Sequence, residues 1–372
     1  MTIETYPLSS ISIEQAQIKQ FELVDCICQE FTGLDFLQLG DLGVKSPFNK
    51  PDTTQKAEKV LARFFQSESA VFVRGAGTGA LRLCFASCVS KKRKALVHDS
   101  PIYSTTLSTF EMMQIEPVYV DFSDQQACAS ACRSNDLDFI LIQTTRQKLS
   151  DHYDLKEVIQ CFKSACRLPI IVDDNYAVMK IDQIGVECGA DLSAFSAFKL
   201  LGPEGVGIVV GKKEYCDKIN QVNYSGGSQV QGFEALEVLR GMTYAPVLLA
   251  IQAKVGEECC DRLNKHEIPG IKSAFIANAQ SKVLLVEFET EIAERVLYFA
   301  QQQGAAPHPV GAESKYEITP MFYRVSGTFL KSDASLKKRM IRINPMRSGA
   351  NTVLRILSES IQLAMKEGKS CF

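Results

Sequence analysis

The stretch AFSAFKLLGPEGVGIVVG, Ala194 to Gly211, reads as a short apolar run, a lysine, a glycine-proline turn and a β-branched run, Ile208 to Val210. Lys199 is the residue out of keeping with its neighbours. An ammonium among apolar side chains is costly unless it is neutralised, paired or used covalently. Held between a strand end and a tight turn, it suits a Schiff base with an aldehyde. A surface lysine in a hairpin is the plainer reading, and the stretch by itself leaves both open.

Outward from that stretch, the chain from residue 70 alternates short apolar runs with helical segments. The runs are Ala70–Val73, Ala95–His98, Pro117–Phe122, Phe139–Gln143, Pro169–Val172, Leu192–Phe195 and Val206–Val210. Strands apolar throughout and separated by helices predict an α/β fold, with a mainly parallel seven-stranded sheet covered on both faces. Upstream, Ile13, Ala16, Phe21, Val24 and Ile27 recur at helical spacing, and a second helix is expected from Thr54 to Phe65. Downstream, helices near Lys213–Val222 and Phe233–Leu263 precede a strand at Val283–Phe288 and a helix over Ile292–Gln303. Short strands around Glu317–Phe329 and Met340–Ile343 and a last helix, Thr352–Lys366, complete what reads as a small α+β C-terminal domain. The expected organisation is an N-terminal helix and arm over 1–50, a large domain over 51–263 and the small domain over 264–372.

In a parallel sheet, ligands gather beyond the carboxyl ends of the strands. The first run leads into Arg74-Gly75-Ala76-Gly77-Thr78-Gly79-Ala80, with a helix expected over Leu81–Cys88. Small residues at a helix start turn free N–H groups and the positive dipole end toward a phosphate, and Thr78 adds a hydroxyl. The motif lacks the lysine of a nucleoside triphosphate loop, and its G-x-G-x-G departs from the dinucleotide fingerprint. A turn that uses glycine only for close backbone approach is the other reading.

After the second run, Tyr103 is placed to lie flat on an aromatic ligand. After the fourth come Gln143, Thr144, Thr145 and Arg146, either ligand-facing groups or an ordinary solvated loop. The fifth leads into Asp173-Asp174-Asn175-Tyr176-Ala177. An acid at the end of a buried strand calls for a cation such as a protonated pyridine nitrogen; an N-cap or Asx turn is the alternative. Phosphate cradle, aromatic, acid and lysine thus follow one another along the ends of one sheet.

The composition is that of an ordinary soluble globular protein, 46% hydrophobic and 23% charged. A net charge of −2 argues against nucleic acid or an anionic membrane as main partner. No apolar run approaches the roughly 18 residues of a membrane span. The start, MTIETYPLSSISIEQAQ, lacks the basic and apolar segments of an export signal, so the cytoplasm is expected. Thirteen cysteines form no matched CxxC pairs and the four histidines are scattered, so reduced thiols are expected and no metal site.

Taken in order, these residues resemble the fold-type I pyridoxal phosphate enzymes of the aspartate aminotransferase superfamily, over roughly residues 35 to 350. The resemblance implies pyridoxal 5'-phosphate as cofactor and a role for each motif. Gly75, Ala76, Gly77 and Thr78 hold its phosphate, with Ser196 of the S-x-x-K match nearby. Tyr103 stacks on the ring, Gln143 contacts the cofactor, Asp173 pairs with the ring nitrogen, and Asn175 lies against the ring face. Lys199 forms the internal aldimine. Arg342, in Arg342-Ile343-Asn344, resembles the small-domain arginine that clamps a substrate carboxylate, with Tyr176 and Arg146 as further substrate contacts. Tyr224-Ser225-Gly226-Gly227 resembles the loop by which a neighbouring subunit reaches the phosphate, which implies a homodimer.

The Ile142-Gln143-x-x-Arg146 and Lys-Leu-Leu-Gly-Pro-Glu-Gly stretches are similar to the class V aminotransferase and Cys/Met-metabolism groups. GAGTGA, DDNYAVMK, FKL-x-GPEGVG and YSGGSQ resemble the YhfS-like proteins of enteric bacteria, whose reaction the resemblance leaves open. Asn175 stands where the family carries Ala or Thr. Asp173 and Asp174 both compete for the ring nitrogen, and strand register favours Asp173.

The implied activity is transformation of a small amino acid through an external aldimine and a Cα carbanion, with Lys199 as acid and base and Asp173 and Tyr103 supporting the ring. An aminotransferase-like transferase is expected. A β- or γ-lyase of the Cys/Met type is the alternative, and a non-catalytic cofactor- or ligand-binding protein is the third reading.

Overall fold

The computed structural model describes residues 5–46, 49–134, 136–146, 148–278, 282–311, 313–325 and 334–367. All seven apolar runs form strands: β1 (Ser69–Arg74), β2 (Lys94–His98), β3 (Glu116–Val120), β4 (Phe139–Gln143), β5 (Ile170–Asp173), β6 (Leu192–Ser196) and β7 (Val206–Gly211). They lie in the order β1-β7-β6-β5-β4-β2-β3. β7 runs antiparallel to both its neighbours, β1 and β6, and β6, β5, β4, β2 and β3 pair in parallel.

The helices preceding and joining these strands are α1 (Ile13–Glu30), α2 (Gly33–Phe36), α3 (Asp52–Phe64), α4 (Ala76–Cys88), α5 (Ser104–Met113), α6 (Gln125–Ser134), α7 (Leu155–Ala165) and α8 (Lys213–Val222). Apart from the edge strand β3, whose Glu116 and Tyr119 are exposed, the strands are largely apolar because both faces are covered. On one face Val71, Val97, Leu141, Ile171 and Ala194 share a core with Leu81, Cys84 and Phe85 of α4. On the other, Leu96, Ile140, Ile142 and Val172 meet Val158, Ile159 and Phe162 of α7. The edge strand β1 is blunted by α3. Glu58 accepts the Phe72 N–H at 3.0 Å and is itself paired with the buried Lys50 at 2.9 Å. A charged side chain spent on an exposed edge keeps it from templating another strand.

The second sheet has four antiparallel strands, β8 (Ile271–Ala277), β9 (Val283–Phe288), β10 (Met321–Arg324) and β11 (Met340–Asn344), in the order β10-β11-β9-β8. Its core face joins Val286, Phe322, Ile341 and Ile343 to Val296 and Ala300 of α10 (Ala293–Gln302) and to Val353 and Leu357 of α12 (Ala350–Glu367). A single-turn α11 (Leu336–Arg339) leads into β11.

Two compact units result. One comprises Ile11–Arg146 and His152–Val247; the other comprises the described residues within Met1–Ser10, Gln147–Asp151 and Leu248–Phe372. The division falls inside the long helix α9 (Gly232–Asn264), one residue after Pro246, whereas the succession of elements in the sequence places a boundary after residue 263, at the end of that helix.

Two local readings change. β8 was not expected, because Ile271-Lys272-Ser273-Ala274 alternates too weakly to announce a strand. The helix expected from Leu81 begins at Ala76, so the glycine-rich segment is its first turn rather than a loop before it. Gly75 caps it at φ 93°, a left-handed conformation open to glycine at little cost, and the Gly79 N–H closes the first turn on the Gly75 carbonyl at 2.8 Å. Of the strand region expected around Glu317–Phe329, β10 accounts for Met321–Arg324, and residues 326–329 lie outside the described residues.

Candidate active site

The lysine of the opening stretch sits in a 3-10 turn, Ala197–Leu200, that leaves β6 and returns as its antiparallel neighbour β7. The connection is hairpin-like, yet Lys199 is half-buried. Lys199 Nζ donates to Asn175 Oδ1 at 3.2 Å and stands 4.4 Å from the centre of the Tyr176 ring. Both partners belong to the turn after β5, the strand beside β6.

That turn begins with the two aspartates, and the structure separates them. Asp174 is fully buried and saturated. Thr144 Oγ1 donates to its Oδ1 at 2.7 Å, the Gly185 N–H to its Oδ2 at 3.1 Å, and Ser193 adds a further hydrogen bond. Burial pushes its carboxyl up to about 6 against these three stabilising bonds. The carboxylate of Asp173, 8% exposed, is held within its own turn, accepting on Oδ1 from the Asn175 N–H at 3.1 Å and from Asn175 Nδ2 at 2.8 Å. Burial raises its pKa, opposed by Asn175 and by the positive charge of Lys199. Asn175 therefore bridges the acid and the lysine.

The start of α4 approaches from the third side. A Cβ on Gly77 would lie 2.3 Å from Asn175 Oδ1, so only glycine lets the helix start come this close. The N–H groups of Gly75 and Ala76 are occupied, both donating to the Gly205 carbonyl at 2.9 and 3.1 Å. The Gly-Pro-Glu-Gly turn after Lys199 thus braces the cradle, a contact without any local signal in the motif. Gly77 and Thr78, in the first turn, have N–H groups with no intrahelical acceptor. Thr78 Oγ1 donates to Thr105 Oγ1 at 3.3 Å, which brings the start of α5 alongside. Tyr103 caps α5, and its N–H is held by Gln143 Oε1 at 3.1 Å, so Gln143 fixes the aromatic's loop. Ser196 is buried as the last residue of β6.

Other expected residues are employed elsewhere. Arg146 lies buried with its guanidinium 4.8 Å from the Tyr153 ring centre and donates to the Tyr153 carbonyl. Ser225, Gly226 and Gly227 are exposed on a surface turn, with Ser225 and Ser228 hydroxyls 3.4 Å apart. Arg342 belongs to the second unit. It sits mid-strand in β11, 8% exposed, its guanidinium 4.1 Å from the Tyr323 ring centre and its Nε donating to the Arg324 carbonyl at 2.7 Å.

Residues 49–238 match the family model of class-V aminotransferases, and residues 257–357 match that of the YhfS-like C-terminal domain. The chain is 52% identical to the Escherichia coli (strain K12) protein YhfS over 96% of its own length and 99% of the relative's. The crystal structure of that protein, described as pyridoxal-5'-phosphate dependent, superposes with a TM-score of 0.95. A cystathionine γ-lyase from Micromonospora echinospora (TM-score 0.67, 16% identity, 83% of this chain and 86% of that one) shares the fold. So does a cystathionine γ-synthase from Xanthomonas oryzae pv. oryzae (0.69, 16%, 94% and 98%). The chain belongs to the class-V aminotransferase family, within the fold-type I pyridoxal phosphate enzymes, and carries a C-terminal domain of the YhfS type.

Proposed function

We propose that this protein is a pyridoxal 5'-phosphate enzyme acting at Cα of a small amino acid, most simply as an aminotransferase-like transferase. The observation that carries the reading is the Lys199–Asn175–Asp173 bridge at the ends of two adjacent strands, facing the start of α4. The residues fit the cofactor. Asp173 is a desolvated carboxylate whose burial favours a cationic partner, and the first turn of α4 offers N–H groups and the Thr78 hydroxyl to an anion. When bound, the cofactor supplies an aldehyde for an amine and a protonated ring that withdraws electrons from Cα.

The chain's own groups do the rest. Lys199 Nζ takes and returns the Cα proton. With the cofactor bound, Asp173 would hold the ring nitrogen protonated, Tyr103 would stack on the ring and Asn175 would border it. Gly75, Ala76, Gly77, Thr78 and Ser196 form the phosphate end, where Gly77 and Thr78 are the N–H donors and Gly75 and Ala76 shape the turn. Arg342 receives the substrate carboxylate as a fork, with Tyr176 beside the amine. Arg146, packed on Tyr153, serves by holding the loop after β4 rather than by touching substrate. Ser225, Gly226 and Gly227 serve the site of a second copy. The exposed Leu34, Leu37, Leu39 and Leu42 support that homodimer, since so many exposed leucines close in sequence mark an interface. Light scattering that returns the mass of one chain would remove the shared site.

Purified protein carrying cofactor is expected to be yellow. Borohydride should bleach it and fix the cofactor's mass to Lys199, and Lys199→Ala should be colourless and inactive. A colourless wild-type protein that takes up no pyridoxal phosphate would sink the reading. Fold alone does not choose between transfer and elimination. Incubation with single amino acids does: the aminated cofactor accumulates in a transferase, whereas a β- or γ-lyase releases ammonia and a keto acid.

A further inference from the structure

Asn175 occupies a position where an alanine or threonine could only touch a ring, and in this chain its carboxamide does something else. The amide has one acceptor and one donor end, and each is assigned by its partner. Lys199 can only donate to Oδ1, at 3.2 Å, and the Asp173 carboxylate can only accept from Nδ2, at 2.8 Å. The backbone N–H of Asn175 holds the same Asp173 oxygen at 3.1 Å, so the side chain cannot swing without breaking two bonds. Gly77 closes the remaining side, where even a methyl group would meet the amide oxygen at 2.3 Å.

We propose that Asn175 is a positioning residue that ties the Lys199 amine to the Asp173 carboxylate, so that the charge on one favours the charge on the other. The proposal rests on the reading of Lys199 as the reacting amine. Its polarity is fixed: an ammonium at 199 and a carboxylate at 173 are the pair that this amide orientation satisfies best, because hydrogen bonds with charged partners are the stronger ones. The turn that carries Asn175 adds the Tyr176 ring at 4.4 Å and Lys180, whose Nζ is 5.7 Å from the same ring centre. Asp174 points away into its own hydrogen bonds with Thr144 and Gly185. From α4 comes the buried Cys84 thiol, close enough to Asp173 to feel its charge and itself held neutral by burial. β7 carries no titratable side chain. Removing the bridge should therefore lower the proton affinity of the amine.

The test uses the full-length protein without cofactor, so that it reads the bridge whether or not the cofactor assignment stands. Lys199 is labelled with an acylating reagent across a range of pH, and modification at that position is quantified by mass spectrometry. In Asn175→Ala the midpoint of the labelling profile should move about one unit to lower pH, a change of about tenfold at fixed pH below it, with the plateau rate unchanged. Asn175→Thr, which keeps a small polar group but cannot reach both partners, should move it the same way and serves if the alanine variant does not fold. An unchanged midpoint in either variant overturns the proposal. So does a changed plateau with the midpoint fixed, because that reports access alone. Failure of the cofactor reading would appear separately, as wild-type protein that binds no pyridoxal phosphate while the labelling shift persists.

Discussion

Asp173 and Arg342 lie on strands of different sheets, and each is 8% exposed, yet the two sheets hold them by different means. Asp173 ends a parallel strand. Its partners come from the turn that follows, so its setting is made by backbone direction and by the next two residues. Arg342 lies mid-strand in an antiparallel ladder, and its setting is made across the ladder, by the ring of Tyr323 directly opposite and the carbonyl of Arg324. A parallel sheet presents chemistry past its ends, where loops can gather around a ligand. An antiparallel sheet presents it on a face, where the cross-strand neighbour is the unit of support. Substitutions should expose this difference as a difference in kind.

The largest effect separates the two aspartates at the strand end. Asp174→Ala leaves the Thr144 and Ser193 hydroxyls and the Gly185 N–H without their acceptor, at a cost of about 3 kcal/mol of unfolding free energy. Asp173→Ala should cost far less stability but abolish the visible spectrum of bound cofactor. Denaturant unfolding and absorbance on the same samples check both, and a swap of the two outcomes would exchange the roles of the residues. The pH dependence follows with a definite sign. The carboxyl of Asp174 rises from an ordinary value near 3.8 to about 6 in the fold, so its contribution is fully present below the unfolded value and is lost as pH rises through 6. Two units correspond to about 3 kcal/mol at most. Asp174→Asn cannot ionise, so its stability should fall less than that of wild type between pH 4 and 7. Asp173, raised by the same cause, keeps some of the slope in both proteins.

What could be read beforehand divides along the same line. The strand ends were legible because they announce themselves locally: an apolar run stops, and Asp173 or Gly75 follows. Strand-end register favours Asp173 over Asp174, and the structure gives the two different settings, with Thr144 and Gly185 donating to Asp174. The long-range contacts were not legible. Nothing in Gly205 says that its carbonyl holds the start of α4, and nothing in Asn175 says that it reaches Lys199, because such contacts depend on how β7 and β5 are laid beside other strands. The packing of Arg146 was illegible for a related reason. Its place after a strand suited a ligand, whereas its partner, Tyr153, arrives from beyond the next loop. Arg342 was singled out only through resemblance, since a residue in the middle of an antiparallel strand carries no local signal.

The smallest effect is the most specific to the antiparallel side. If the Tyr323 ring holds the Arg342 guanidinium flat for a carboxylate, then Tyr323→Leu removes a cation–π contact of about 1 kcal/mol. The KM for the amino acid should then rise about fivefold while kcat and the cofactor spectrum stay as they were. Tyr323→Phe keeps the ring and should leave KM within about twofold, since each 1.4 kcal/mol is worth tenfold. The Tyr323 hydroxyl is buried with no hydrogen-bond partner among the described residues, and burial pushes it up to about 12. Deleting a buried, unsatisfied polar group removes a desolvation penalty, so the phenylalanine variant should be more stable than wild type by about 1 kcal/mol. Equal KM values in the leucine and phenylalanine variants would show that the ring does not orient the arginine, and that the cross-strand pair supports the fold rather than the substrate.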